Sequence, residues 1–330
     1  MNTKLIKKFT GLAAATIAVA SLTTSAIAAD MKVVGLSTIV EVPALLDVKN
    51  GIIEGLAEKG FVEGKNLKIV YENANGNMPT QQQIAKKFAG MRPDLIIGIT
   101  TPTSQALAAA TRDIPMIFTA VTDPIKAKLI TQFKKPGGRI TGISDIAPLA
   151  RQLDLMLEII PGTKKIGFIY NPGLDNAVAA LAVLRKAADA KGVEIVESPA
   201  PTSNEVIVAA RKLVGKVQAI YVPNDTTVVA ALEAIVKVAQ DTDTPLFAGE
   251  TSAVERGALA SIGHNYKLGG VHTGYMAAAV LNGANPGDID ALRLADLNDA
   301  MNLYINRGSA EKMGVTVPQA VLDRAFTLID

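Results

Sequence analysis

The sequence contains no Cys, no Trp and only two His, and aromatic residues make up just 4% of its 330 positions. Without Cys there are no disulfides, no thiolate metal sites and no Cys nucleophile. The two His, His264 and His272, are eight apart in one helix-like stretch, which would put them two turns apart on a single face. No H-x-x-x-H, Asp-rich loop or G-x-S-x-G accompanies them, so metal binding and Ser-His-Asp catalysis find no support, and no cofactor is expected. Scarce aromatics imply an aliphatic core and remove the ring platforms that sugar sites use. Beyond the first 30 residues no run approaches the roughly 18 apolar residues of a membrane span. Charge is balanced too, with 33 Lys and Arg against 31 Asp and Glu, which gives nucleic acid no basic surface to follow.

The N-terminus carries a segment of a different kind. Lys4, Lys7 and Lys8 precede an apolar run from Gly11 to Leu22, and Ala26-Ile27-Ala28 supplies small residues at the cleavage positions. This is the pattern of a secretory signal peptide, too short and wrongly flanked for a membrane anchor. Cleavage after Ala28 is expected, and with no Cys to carry lipid the product is expected free in the periplasm. Removal takes away three Lys and no acid, leaving 30 basic against 31 acidic side chains and a net charge near −1. About 300 residues remain, enough for two domains with their own cores.

Apolar strand-like runs alternate with helical stretches along that remainder. The runs are 31–37, 67–73, 94–100, 114–120, 164–171, 193–199, 217–224, 244–250 and 257–263. The helices fall at 43–59, 80–89, 103–111, 148–159, 175–191, 204–214, 226–240 and 266–282. Continuous apolarity marks strands covered on both faces, hence parallel sheets. The alternation comes in two sets, separated by "KKPGGRITGISD" (134–145), and predicts an α/β fold of two doubly wound parallel-sheet lobes. The tail after residue 297 offers one strand and two short helices.

Ligands of open α/β sheets bind beyond the carboxyl ends of the strands, so the residues that follow each strand are the candidates. They are Ser37 and Thr38; Thr100 to Ser104; Thr119, Thr122 and Asp123; Asn171, Asp175 and Asn176; Asn224, Asp225, Thr226 and Thr227; and Glu250, Thr251 and Ser252. No Lys or Arg stands among them, and neither phosphate-binding glycine pattern is present. Thr101, Thr103 and Ser104 open a helix, where hydroxyls and free N–H groups suit a carboxylate; one of the Thr as a simple cap is the alternative. Glu250 is the better ammonium partner, Asp225 doubling as the cap of the next helix.

At this point "TTPTSQALAAATRDIPMIFTAVTDPIKAKLI" and "RITGISD" resemble the substrate-binding protein family of ABC transporters whose studied members bind aromatic amino acids. "IGFIYNPGLDNA", "IYVPNDTTV", "PLFAGETSAVERGALASIG" and "YKLGGVHTGYMAA" resemble its later blocks, and the similarity spans nearly all of 31–330. The resemblance implies a type I periplasmic binding fold with three interlobe crossings, lobe one being about 30–143 plus 265–298 and lobe two about 144–264 plus 299–330. It implies no enzyme but a clamp that closes on a small ligand: an aromatic or aliphatic amino acid, an amide or a small carboxylate. The implied partners are a membrane permease and its ATPase, with a monomeric binding protein; delivery to a sensor, or an exported hydrolase or isomerase on the same fold, are the alternatives. Carried over by resemblance, Thr101 and Ser104 hold a carboxylate, and Thr119, Asp123, Asn171, Asn176, Asp225 and Glu250 occupy cleft positions. Ala177 stands where the family often has Ser.

Overall fold

The runs of continuous apolar sequence become the inner strands of two separate sheets. A computed structural model describes residues 31–330; the expected signal peptide, 1–28, lies outside the described residues. The first stretch of chain is β1 (Lys32–Thr38), α1 (Pro43–Glu58), β2 (Leu67–Asn73), α2 (Met78–Met91), β3 (Leu95–Ile99), α3 (Thr101–Ala110), β4 (Met116–Val121) and β5 (Ile140–Ser144). The second is α4 (Leu149–Ile159), β6 (Lys165–Tyr170), α5 (Asp175–Asp189), β7 (Glu194–Pro199), α6 (Val206–Leu213), β8 (Ala219–Val222), α7 (Thr226–Val229), α8 (Leu232–Asp241), β9 (Leu246–Ala248), α9 (Ser252–Glu255) and β10 (Ala260–His264). Then come α10 (Tyr266–Leu281), β11 (Leu292–Arg293), β12 (Met301–Asn306), α11 (Arg307–Lys312), α12 (Gln319–Leu322) and β13 (Thr327–Ile329).

One sheet has the order β11-β5-β4-β3-β1-β2 and the other β13-β12-β10-β9-β8-β6-β7. The sequences LIIGI of β3 and MIFTAV of β4 are buried throughout, whereas the edge strands β2 and β7 are partly exposed. Each fully buried Ile or Leu contributes about 1.5–3 kcal/mol. The scarce aromatics are spent in the core, where Phe88, Phe118, Phe168, Tyr221 and Phe247 are fully buried, so the core is not the purely aliphatic one expected.

The chain crosses between the sheets three times: after β5, between β10 and α10, and before β12. All three crossings touch. Tyr266 donates to Asp145 at 2.8 Å, His264 Nε2 lies 3.1 Å from the Ile146 carbonyl, and Asn265 N–H donates to Ala300 O at 2.8 Å. Returning beside the end of β10, the chain can only run back along it, and β12 pairs with β10 antiparallel, His264 opposite Met301. That pair is the one departure from all-parallel pairing in the described sheets, and the tail supplies two strands to this sheet instead of one.

Helix α10 is seated on α1 through glycines. A Cβ on Gly270 would lie 2.2 Å from Val48 O, and one on Gly55 would lie 2.2 Å from Val271 O. With Gly51 and Gly274 these form two Gly-x-x-x-Gly spacings that let the helix backbones touch. Two expected elements differ. The helix expected at 226–240 breaks into α7 and α8, because TTVV is β-branched and Arg256 takes the Val229 carbonyl at 2.9 Å. The two His do not share a helical face: His264 ends β10 and only His272 lies in α10.

Candidate functional site

Where β3 and β4 end, the backbone is strained. Thr100 has φ 83° and Ala120 φ 51°, left-handed values that a β-branched residue rarely adopts. The pairing of β4 with β5 shifts register between Phe118 and Val121, and this bulge carries Ala120 to the wall of a cavity between the two sheets. Strain of this kind, of order 1–3 kcal/mol per residue, gathers at functional sites.

The cavity is small, about 30 Å³, and is lined from one side by Val42, Leu45, Thr100, Thr101, Ala120 and Thr122. Asp145 from the first crossing and Asn176, Asn224, Asp225, Thr226, Val229 and Glu250 from the other sheet complete it. Helix α3 points its N-terminus here. Pro102 has no N–H, and the N–H groups of Thr101 and Thr103 have no helical acceptor, so partial positive charge faces the cavity from this side.

The opposite wall is made of acceptors. Asn176 donates to Asn224 O at 2.8 Å and Asn224 donates to Tyr266 Oη at 2.8 Å, but the Oδ1 atoms of both Asn are buried without a protein partner. Glu250 is 5% exposed and its Oε1 accepts from Ser252 at 3.0 Å. Burial pushes its carboxyl up to about 7; the Ser252 hydrogen bond and Arg256 charge oppose this, and Asp145 adds to it. Asp145 accepts from Tyr266 at 2.8 Å and from Thr122 at 3.4 Å. Behind Glu250, Gln152 donates to Gly249 O at 3.1 Å and to Ile262 O at 2.6 Å, and Tyr221 donates to Gln152 at 2.5 Å. These bonds tie the Gly249 backbone beside Glu250 to α4 and β8.

Eight of the sequence candidates meet here: Thr100, Thr101, Thr122, Asn176, Asn224, Asp225, Thr226 and Glu250. Asp225 is committed to the backbone, one oxygen accepting from Asn171 N at 2.5 Å and the other from Thr227 N and Val228 N at 2.9 and 3.2 Å. It serves as a helix cap and loop clamp while lining the cavity, and burial raises its carboxyl to about 6.

The other candidates fall outside the cavity wall. Ser104 turns back to donate to Gly98 O at 3.0 Å, in space that Gly98 leaves open by having no Cβ. Thr103 pairs with Thr100 at 3.1 Å, and Ser37 pairs with Gln81 at 3.1 Å. Thr38 donates to Val40 O at 2.9 Å, and Thr119 accepts from Thr273 at 3.0 Å. Asp123 caps a turn through Lys126 N at 3.0 Å, and Asn171 bridges Pro201 O and Thr227 at 3.0 and 2.9 Å. Each of these seven has its polar group satisfied within one lobe.

Sequence reasoning passed over Asp145, Tyr266 and the apolar pair Val42 and Leu45. Asp145 directly follows β5, so the strand-end rule would have found it had "GISD" been treated as a strand end and not only as a connector. Tyr266 and the apolar pair carry no local signal.

The lobes stand together over the cavity: Gln105 of α3 donates to Asp175 of α5 at 2.8 Å. The model of the family described as ABC transporter substrate binding protein matches residues 33–329. A "Tyrosine-binding protein" of Clostridioides difficile (strain R20291) is 41% identical over 271 residues, 82% of this chain and 79% of that one. An ABC domain from Streptococcus pneumoniae solved in complex with L-Trp is 33% identical, covers 91% of this chain and 100% of that chain, and superposes with a TM-score of 0.86. The ligand-free, open structure of a Clostridium difficile substrate-binding protein with adhesive properties is 35% identical over 91% of this chain and 99% of that chain, yet superposes with a TM-score of only 0.68. The lower score against the open form agrees with the Gln105–Asp175 contact in describing a closed arrangement. By the family match and these identities, the chain belongs to the ABC transporter substrate binding protein family.

Proposed function

We propose that this protein captures a free amino acid in the periplasm by lobe closure and delivers it to an ABC permease and its ATPase. The observation that carries the reading is the polarity of the cavity. A helix N-terminus with Thr101 faces it from one lobe, and Glu250, Asn176 and Asn224 line it from the other, both Asn carrying a buried amide oxygen that no protein group satisfies. A carboxylate fits the first and a three-donor ammonium the second. One zwitterion would touch both lobes at once, and such a ligand stabilises the closed state by its differential contacts.

The side chain would lie against Val42, Leu45, Ala120 and Val229, an aliphatic wall. At about 30 Å³ the cavity holds little more than a water or two, so any amino acid, its zwitterionic backbone included, needs the lining side chains or the lobe angle to adjust. Tyrosine and tryptophan, which the names of two relatives mention, are the first ligands to try. The cavity wall contains no His and no Cys, which favours binding without turnover; a monomer suits a clamp whose halves must move.

The test is a thermal-shift screen of the twenty amino acids, simple amides and small carboxylates, followed by calorimetry. A ligand at a hundred times its Kd raises stability by about 2.7 kcal/mol, and only compounds with both an amine and a carboxylate are expected to do so. Stabilisation by carboxylates without amines, or consumption of the bound compound seen by mass spectrometry, would overturn the reading.

A further inference from the structure

Three carboxyl groups, Glu250, Asp145 and Asp225, share the wall of one buried cavity, the first two without a backbone N–H partner, and no Lys or Arg lines it. The cation nearest in effect is Arg256, which does not line the cavity: its Nε and Nη2 are held by Glu233 at 2.8 and 2.9 Å, its Nη2 also by Val229 O, and its Nη1 is buried without a hydrogen-bond partner. From the other elements around Glu250, Tyr266 and Tyr221 present hydroxyls that already donate to Asp145 and Gln152, and Asp225 is occupied by three backbone N–H groups. His264, at the end of β10, addresses the Ile146 carbonyl. The protein therefore offers the pair no full counter-charge. Two ionised carboxylates in so small a volume repel each other and lose their hydration together. Positive charge has to come from a proton or from the ligand.

We infer that ligand capture is proton-linked: Glu250 holds a proton before the amino acid arrives and releases it to solvent when the ligand's ammonium takes its place beside Asp145. The inference rests on the amino-acid reading above. The proton balance is simple, with the neutral acid and the zwitterion giving the carboxylate–ammonium pair and one free proton. Both carboxyl oxygens of Asp145 accept hydrogen bonds, from Thr122 and Tyr266, whereas Glu250 accepts one, from Ser252, so Glu250 is the partner with an oxygen left to carry the proton. Its carboxyl is raised by burial in the absence of ligand, and an adjacent ammonium pulls it down. Affinity therefore rises with pH while Glu250 is protonated in the free protein and levels off above about pH 7.

The experiment is calorimetric titration of L-tyrosine and L-tryptophan into the protein at about pH 6, in buffers of widely different ionisation heat. About one proton released per ligand is expected, with affinity rising by up to about tenfold per pH unit between pH 5.5 and 7. The deaminated analogue of tyrosine should release none. Glu250→Gln should bind with a heat independent of buffer and an affinity flat in pH. Buffer-independent heats in the unaltered protein, or an unchanged pH slope in Glu250→Gln, would overturn the inference while leaving amino-acid binding intact. If Glu250→Gln fails to bind or fold, the buffer dependence of the unaltered protein decides alone. No binding by any of the twenty amino acids would sink both readings.

Discussion

Thr101 and Ser104 lie on the first turn of α3, and only Thr101 lines the cavity. Thr101→Val keeps the shape and removes the hydroxyl, and is expected to weaken ligand binding at least tenfold, about 1.4 kcal/mol, by calorimetry. Ser104→Ala removes a buried bond to Gly98 and should lower stability by about 1 kcal/mol with affinity within about twofold. A large binding loss in Ser104→Ala, or none in Thr101→Val, would reverse the assignment. The buried acids make a second prediction at this scale. Asp225 and Glu250 have folded-state values raised to about 6 and about 7. A raised acid holds its proton in the native state where the unfolded chain has lost it, so it favours folding at low pH and loses that contribution as pH rises through the folded value. The melting temperature of the ligand-free protein is expected to fall between about pH 5 and 7.5. Glu250→Gln should flatten part of that slope, which a pH series of thermal melts would check.

At the scale of elements, the contact of α1 with α10 joins segments more than two hundred residues apart. Gly270→Ala would force a methyl into the Val48 carbonyl and push the helices apart, costing about 1–3 kcal/mol; an unchanged melting temperature would show that the contact yields freely. The glycines were visible in the sequence, but their pairing was not. Position in a helix predicts which residues share a face, and nothing local says which other helix that face will meet. The division of 226–240 into α7 and α8 has the same origin, since Arg256 reaches the Val229 carbonyl from beyond the next strand.

For the whole molecule, the proposed function makes closure the working motion, and Gln105 to Asp175 is a bond between the lobes. Gln105→Ala should shift the population toward the open form and raise Kd by about three- to tenfold, near 1 kcal/mol, without altering the melting temperature of the ligand-free protein by more than a degree or two. Small-angle scattering should show a smaller radius of gyration on adding ligand, less so in this variant. Identical scattering with and without saturating ligand would refute capture by closure.

The α/β class and two-lobe plan were legible because continuous apolar runs and their spacing depend only on local sequence, as did the strand-end rule that led to Thr101, Asn176, Asp225, Thr226 and Glu250. Tertiary structure decided what those groups do. Ser104 and Thr101 look alike in sequence, yet Gly98 opens space behind one and the other lobe faces its neighbour. Asp225 and Glu250 both follow strands, but Asp225 is committed to the backbone N–H groups around it. Asp145 and Tyr266 gain their roles only because two crossings meet. A hydroxyl or carboxylate is chemically capable of several bonds, and which it makes is set by the partners that non-local packing places within about 3 Å.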